Sequence, residues 1–134
     1  MFDLSNRKIL LTGSVGHIGN TLAHALLDHG VDLICIVKNE RKIDKINEIK
    51  KRGGQILVAD FRNREEIENI FNIINYDKID GLINNAAFST KGSIENQSYE
   101  SWGEGINGVL NIPFYIMQKA IPFLKKSGGS IINI

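Results

Sequence analysis

Cysteine, net charge and long apolar runs are nearly absent from this sequence, and each shortage excludes a class of protein. Cys35 is the single cysteine among 134 residues, so neither an internal disulfide nor a cysteine metal cluster can form. It sits in the apolar stretch 31–37, where a buried strand cysteine is expected. Sixteen Lys and Arg against fifteen Asp and Glu leave a formal net charge of +1. That balance gives no basis for nucleic acid or a membrane surface as a partner. The basic residues gathered in 38–52 are interleaved with Glu40, Asp44 and Glu48, the pattern of a solvated helix face. No apolar stretch approaches the roughly 18 residues of a membrane span, and the start Met1-Phe2-Asp3-Leu4 is not that of a signal peptide. A cytoplasmic protein is expected. Repeats, low-complexity tracts and linkers are also missing, so residues 1–134 are expected to form a single domain.

What is present is a regular alternation. Residues 8–11, 31–37, 55–59, 81–84 and 130–134 are short runs rich in Ile, Leu and Val without strict polar alternation. Strands buried on both faces, as in parallel sheets between helix layers, have this composition. Between them, 17–29, 41–51, 64–74 and a longer tract, 106–126, have helical period. Ile18, Leu22, Ala25 and Leu26 mark the apolar face of the first, and Gly30 supplies its stop. Asn63 and Glu66 have the spacing of a capping box for the third. The order βαβαβαβ, then a helical section and a last strand, predicts a parallel sheet with right-handed crossovers. The polar stretch 89–97 follows the fourth strand, at the sheet edge where ligands usually sit in such folds.

Thr12-Gly13-Ser14-Val15-Gly16-His17-Ile18-Gly19 joins the first strand to the first helix. A phosphate needs close backbone approach and free N–H groups, and the first turn of a helix offers both at its positive dipole end. Gly13 suits the tight turn, Gly16 the approach to a pyrophosphate, and Gly19 close packing of helix on strand. The spacing is G-x-x-G-x-x-G instead of the commoner G-x-G-x-x-G. A bare structural turn would have similar glycines, but the full βαβ setting favours a dinucleotide, NAD or NADP. The tip of the second strand usually reads the adenosine ribose, with an acid for NAD and a basic group for the NADP phosphate. If the strand ends at Val37, Lys38 follows and NADP is favoured. A longer strand would let Glu40 reach the hydroxyls.

Taken together, these residues resemble the short-chain dehydrogenase/reductase family over essentially the whole chain. Phe2-Asp3-Leu4-Ser5 leading to Leu11-Thr12-Gly13 is similar to the family's opening, and Asp60 matches its acid after the third strand. Asn84-Asn85-Ala86-Ala87 matches its N-N-A-G signature with Ala87 in place of glycine. Trp102, Pro113-Phe114, Gln118-Lys119-Ala120, Pro122 and 129–134 are similar to its fourth helix and fifth strand. The resemblance implies a Rossmann-type three-layer αβα fold with a parallel sheet of about five strands, order 3-2-1-4-5. It implies that Ser14, His17 and Ile18 surround the pyrophosphate, that Asp60 meets the adenine, that Asn84 and Ala86 line the adenosine-side ribose, and that Phe61 and Ala87 belong to the same cofactor-binding set. Independently, two small residues after a buried strand leave room for a flat ligand; Asn84 and Asn85 could equally tie neighbouring strands.

The family's chemistry rests on a serine just after the fifth strand and a downstream Tyr-x-x-x-Lys, in which the lysine lowers the tyrosine pKa. The chain stops at Ile134, so the domain is expected to be incomplete at its C-terminal end, truncated relative to its parent and catalytically inactive, with no catalytic residue assigned. Tyr76 and Tyr99 are followed four residues later by Asp80 and Gly103. Tyr115 and Lys119 have the spacing but fall in the fourth-helix segment, a coincidence. The family's fourth-helix asparagine aligns with Val109. Asn107 and Asn111 flank it on the wrong face unless the helix is bulged. The last strand would leave an apolar edge and Ile112, Ile116 and Ile121 an exposed stripe, predicting a homo-oligomer through that strand or the 106–126 helix. The expected function is the NAD(P)-binding part of an oxidoreductase. The alternatives are a non-catalytic dinucleotide module, a degenerate remnant or a sugar-nucleotide epimerase or dehydratase relative. Only the glycine spacing suggests the last, and Asn84-Asn85-Ala86 argues against it.

Overall fold

A computed structural model describes residues 3–74 and 77–134; Phe2 of the opening motif and Tyr76 lie outside the described residues. The apolar runs pair in parallel as β1 (Lys8–Thr12), β2 (Asp32–Val37), β3 (Gln55–Val58), β4 (Gly81–Asn84) and β5 (Ser130–Asn133). The sheet order is β3-β2-β1-β4-β5, as the family resemblance implies. Successive β-residues face opposite ways, and here each side meets its own core. Leu10, Ile34, Ile36 and Leu82 pack with Ile67, Ile70, Ile112, Ile116 and Leu124 on one face. Leu11, Leu33, Cys35 and Ile83 pack with Ala23 and Ile49 on the other. Helices α3 (Arg64–Ile73) and α5 (Ile112–Ser127) therefore cover the first face, and α1 (His17–Asp28) and α2 (Ile43–Lys51) the second. Cys35 is fully buried, and burial, partly offset by the Ser14 hydroxyl, pushes its thiol up to about 11. It is an inert core residue.

The Asn63–Glu66 cap forms in modified form. Asn63 Oδ1 accepts from the Glu65 N–H at 3.0 Å. The Glu66 carboxylate accepts from Asn63 Nδ2 at 3.1 Å and from the Asp60 N–H at 2.7 Å. The cap thus also secures the turn that carries Asp60.

Two expectations need correction. The helical section starts before residue 106, with α4 (Tyr99–Ile106) capped by the Ser98 side chain on the Ser101 N–H. No residue of α4 is buried, and Gly103 and Gly105 lower its helix propensity, so neither a core-facing stripe nor a run of strong helix formers marks it. Second, Ile112 and Ile116 face the core, and only Ile121 of the predicted stripe is exposed. The outward large apolar residues of this stretch are Val109, Leu110, Phe114 and Ile121, the last three spaced along one helix face. The shift in facing comes from a π-helical turn at Asn107–Asn111, closed by the Ile112 N–H on the Asn107 carbonyl. Pro113 lacks the N–H that would reach the Val109 carbonyl and its ring would crowd that carbonyl, so the helix widens by a residue just before it.

Asp80 locks the start of β1 to that of β4: its carboxylate accepts from Arg7 Nη1 and from the Lys8 N–H, both at 3.0 Å. The Lys8 N–H lowers its pKa against a desolvation cost, with Arg7 and Lys78 adding to the lowering. Asp80→Ala should cost about 1–2 kcal/mol at neutral pH, read by urea unfolding. The folded-state carboxyl is more acidic than in the unfolded chain. Its stabilisation is therefore complete above the unfolded pKa of about 4 and is lost as pH falls through the folded-state value. The difference between mutant and parent should shrink over that range; a pH-independent gap would refute the assignment.

Candidate functional site

The carboxyl ends of β1, β2, β3 and β4 surround one cleft of about 380 Å³. Its floor is built at the end of β1. Gly13 has φ +69°, and a Cβ there would lie 2.9 Å from Ala86 Cα. The turn closes with the Gly13 N–H on the Ile36 carbonyl at 2.9 Å and the Gly16 N–H on the Gly13 carbonyl at 3.0 Å. At Gly19 a Cβ would overlap that same Gly13 carbonyl, so the helix can seat on the turn only with glycine. Gly16 is the N-cap of α1 and its Cβ would come no nearer than 3.2 Å to the Gly13 oxygen. No side chain caps α1 and no acid stands in its first turn. The helix thus presents its N–H groups and positive dipole end without an internal counter-charge.

Thr12 connects this turn to the Asn84–Ala87 segment. Its hydroxyl accepts from the N–H groups of Asn85 at 3.0 Å and Ala86 at 2.9 Å. Asn85 Nδ2 donates back to the Thr12 and Gly13 carbonyls at 3.1 and 3.2 Å. Asn84 Nδ2 donates to Asn133 Oδ1 at 2.9 Å, across β4 and β5. Both asparagines therefore tie strands together.

Of the residues singled out from sequence, Gly13, Gly16, His17, Ile18, Gly19, Lys38, Asp60, Phe61, Ala86 and Ala87 line the cleft. Ser14 and Asn84 do not: Ser14 is fully buried against Cys35, and Asn84 is nearly so. Val15, Asn85, Phe88, Gly108 and Ile112 are further lining residues. Gly108 had a readable signal, an isolated glycine in a helical tract; its Cβ would overlap the Phe88 carbonyl. Phe88 had none. Its ring carries the Arg62 guanidinium 4.5 Å above its centroid.

β2 ends at Val37, and the cleft at its tip holds no carboxylate from the following loop. Lys38 lies 3.4 Å from Asp60. Desolvation works against ionisation of Asp60, but the Arg62 N–H and the Lys38 ammonium outweigh it and hold the carboxyl below its usual range. Tyr115 and Lys119 both donate to Glu68 on α3 and do not line the cleft. Gly108 and Ile112 face the cleft from the helical wall, whereas Val109, at the family's asparagine position, is half exposed and outside it. Among the described residues no cluster of His, Cys, Asp or Glu could hold a metal ion, and no helix is long and apolar enough to cross a membrane.

A family model described as short chain dehydrogenase matches residues 7–134, and the chain belongs to that family. An uncharacterised oxidoreductase of Staphylococcus epidermidis is 23% identical over the whole chain and 60% of its own length. The 3-oxoacyl-[acyl-carrier-protein] reductase FabG of Vibrio harveyi is 30% identical, over 98% of the chain and 55% of that protein. The chain thus spans little more than half the length of these relatives. The fold matches the crystal structure of Cj0485 dehydrogenase with a TM-score of 0.87 at 25% identity, covering 98% of the chain and 53% of that structure. A Shigella flexneri short chain dehydrogenase complexed with NADP gives 0.84 at 25% identity, over 98% and 59%.

Gly19→Ala should cost about 2–4 kcal/mol in chemical unfolding, because backbone and not a flexible side chain must yield. Gly16→Ala should cost about 1 kcal/mol or less. Equal costs would show that the two glycines do not divide the work as described.

Proposed function

We propose that this chain is the dinucleotide-binding part of a short-chain dehydrogenase/reductase oxidoreductase and holds NADP in preference to NAD. The observation that carries this reading is the Gly13–Gly16–Gly19 turn, which opens on the cleft and leads into a helix with neither cap nor acid in its first turn. A pyrophosphate accepts from such N–H groups and compensates the dipole. His17 and Ile18 flank it. The adenosine lies over the tips of β2 and β3, with Asp60 and Phe61 at the base and Ala86 and Ala87 leaving room at the ribose. Ser14 and Asn84 support from behind. Lys38 at the β2 tip favours a ribose phosphate over a bare diol.

The bound nicotinamide would supply hydride to or from an alcohol or carbonyl substrate in the parent enzyme. In this chain, Tyr115 and Lys119 are engaged with α3, and Val109 has no polar group to offer. The chain alone is therefore a binding module without turnover. The relatives named as oxidoreductases, and the NADP complex of the Shigella dehydrogenase, support the cofactor class. Self-association is proposed through β5, whose residues are exposed, or through the Leu110, Phe114 and Ile121 face. The reading places the protein in the cytoplasm.

Fluorescence titration tests this directly. NADPH should bind saturably and more tightly than NADH. Gly16→Asp should lose at least about tenfold in affinity while keeping its circular dichroism, since Asp is a good N-cap but repels phosphate. Binding of neither cofactor would leave only a degenerate remnant. Steady oxidation of NADPH with carbonyl substrates would contradict the absence of turnover. Light scattering at micromolar concentration should give a mass above the monomer; a monodisperse monomer would remove the self-association proposal.

A further inference from the structure

We infer that Arg62 is a positioning residue of this cleft: its guanidinium, stacked on the Phe88 ring, straps the loop after β3 to the loop after β4 and fixes a wall for the adenine. The inference deepens the dinucleotide reading above and rests on it. Arg62 is exposed and does not line the cleft, so it acts through Phe88, which does. The guanidinium stands 4.5 Å over the ring centroid, within the range of an attractive cation–π contact.

Three segments converge on that ring. Arg62 follows β3, and its N–H donates to Asp60 Oδ1 at 3.1 Å, which anchors its backbone beside the acid. Phe88 follows β4. Gly108 comes from the π turn, and a Cβ there would lie 2.7 and 2.8 Å from the ring atoms Cδ2 and Cε2. The ring is thus held at one edge by bare backbone and on a face by a cation. β3 and β4 are not neighbours, because β2 and β1 lie between them. Those two strands end in Lys38 and in the glycine turn. Phe61 and Phe88 both pack against the core that α3 and α5 cover. The link therefore bounds the cleft on that side, opposite the side that carries α1.

The chemistry of the pair suits this use. A guanidinium is flat, always charged and weakly hydrated, so it stacks on a ring with little loss of solvation. A half-buried phenylalanine at a rim would otherwise have rotamer freedom, and ordering it on binding would weaken the ligand. A ring clamped beforehand offers apolar surface without that loss, alongside Phe61 and Ile112 in the same cleft. The flat base of an adenosine fits such a wall. Arg62 belongs to the same turn as Asp60, at the adenosine end of the cleft, so the strap acts on the base and is blind to a phosphate on the ribose.

The test has a ligand-free arm and a binding arm. In the ligand-free chain, NMR should find the Arg62 Hδ and Hε protons shifted upfield by the ring current, and Phe88→Leu should abolish that shift. In fluorescence titrations Arg62→Gln should weaken NADPH and NADH alike, by about threefold to fivefold, and 5′-AMP as a competitor by the same factor. Arg62→Lys, which keeps a cation for the ring, should stay within about twofold of the parent. In the Phe88→Leu background, Arg62→Gln should weaken binding no further, since the contact is already gone. Additive losses would overturn the inference. So would a loss confined to NADPH, because Arg62 would then be reading the phosphate. A missing upfield shift in a chain that binds cofactor would refute the strap and leave the dinucleotide reading standing. Binding of neither cofactor by the parent would refute that reading and the role of the strap with it.

Discussion

The hydroxyl of Thr12 is the contact on which the geometry of the cleft depends. It stands at the last residue of β1, is almost wholly buried, and receives two N–H groups from the chain leaving β4. Those donors would otherwise be unpaired where the strand ladder stops. Asn85 completes the link by donating to the carbonyls of Thr12 and Gly13. Two loops that are distant in sequence are thereby held side by side at the rim. The glycine turn cannot shift without dragging the Asn84–Ala87 segment with it.

Close approach follows from that link and explains where side chains are forbidden. Gly13 is pressed on Ala86, and Gly19 on the Gly13 carbonyl. Across the cleft, Gly108 plays a similar part against Phe88. The π turn that places Gly108 there is a consequence of Pro113. A helix that must pass the proline either kinks or takes in an extra residue, and here it takes in the residue. That choice turns Ile112 into the cleft and leaves Val109 outside it.

Electrostatics at the rim are arranged by exclusion as much as by attraction. The first turn of α1 carries no acid, the β2 tip carries no carboxylate into the cleft, and Asp60 is already engaged by Lys38 and the Arg62 N–H. The positive features are therefore left for a ligand. The Tyr115, Lys119 and Glu68 group shows how spacing alone can mislead: its partners sit on α3, and its ion pair stabilises helix packing away from the rim.

Sequence alone determined the alternation of strands and helices, the parallel sheet and the identity of the turn, and its resemblance to a known family supplied the strand order. The first three depend on local period, on glycine placement and on the alternation of short apolar runs, all of which are properties of neighbouring residues. Most of the cleft lining was legible, since Gly13, Gly16, His17, Ile18, Gly19, Lys38, Asp60 and Ala86 follow strand ends. Only the tertiary structure decided the rest. Helix α4 buries no residue and holds two glycines, so its start was not legible from a core-facing stripe. Ser14 and Asn84 are neighbours of lining residues in sequence but are buried beside Cys35 and against Asn133. Phe88 and Gly108 gained their places in the lining from contacts with segments distant from them in the chain. Which face a helix residue shows after a π turn depends on the added residue, and no regular period encodes that.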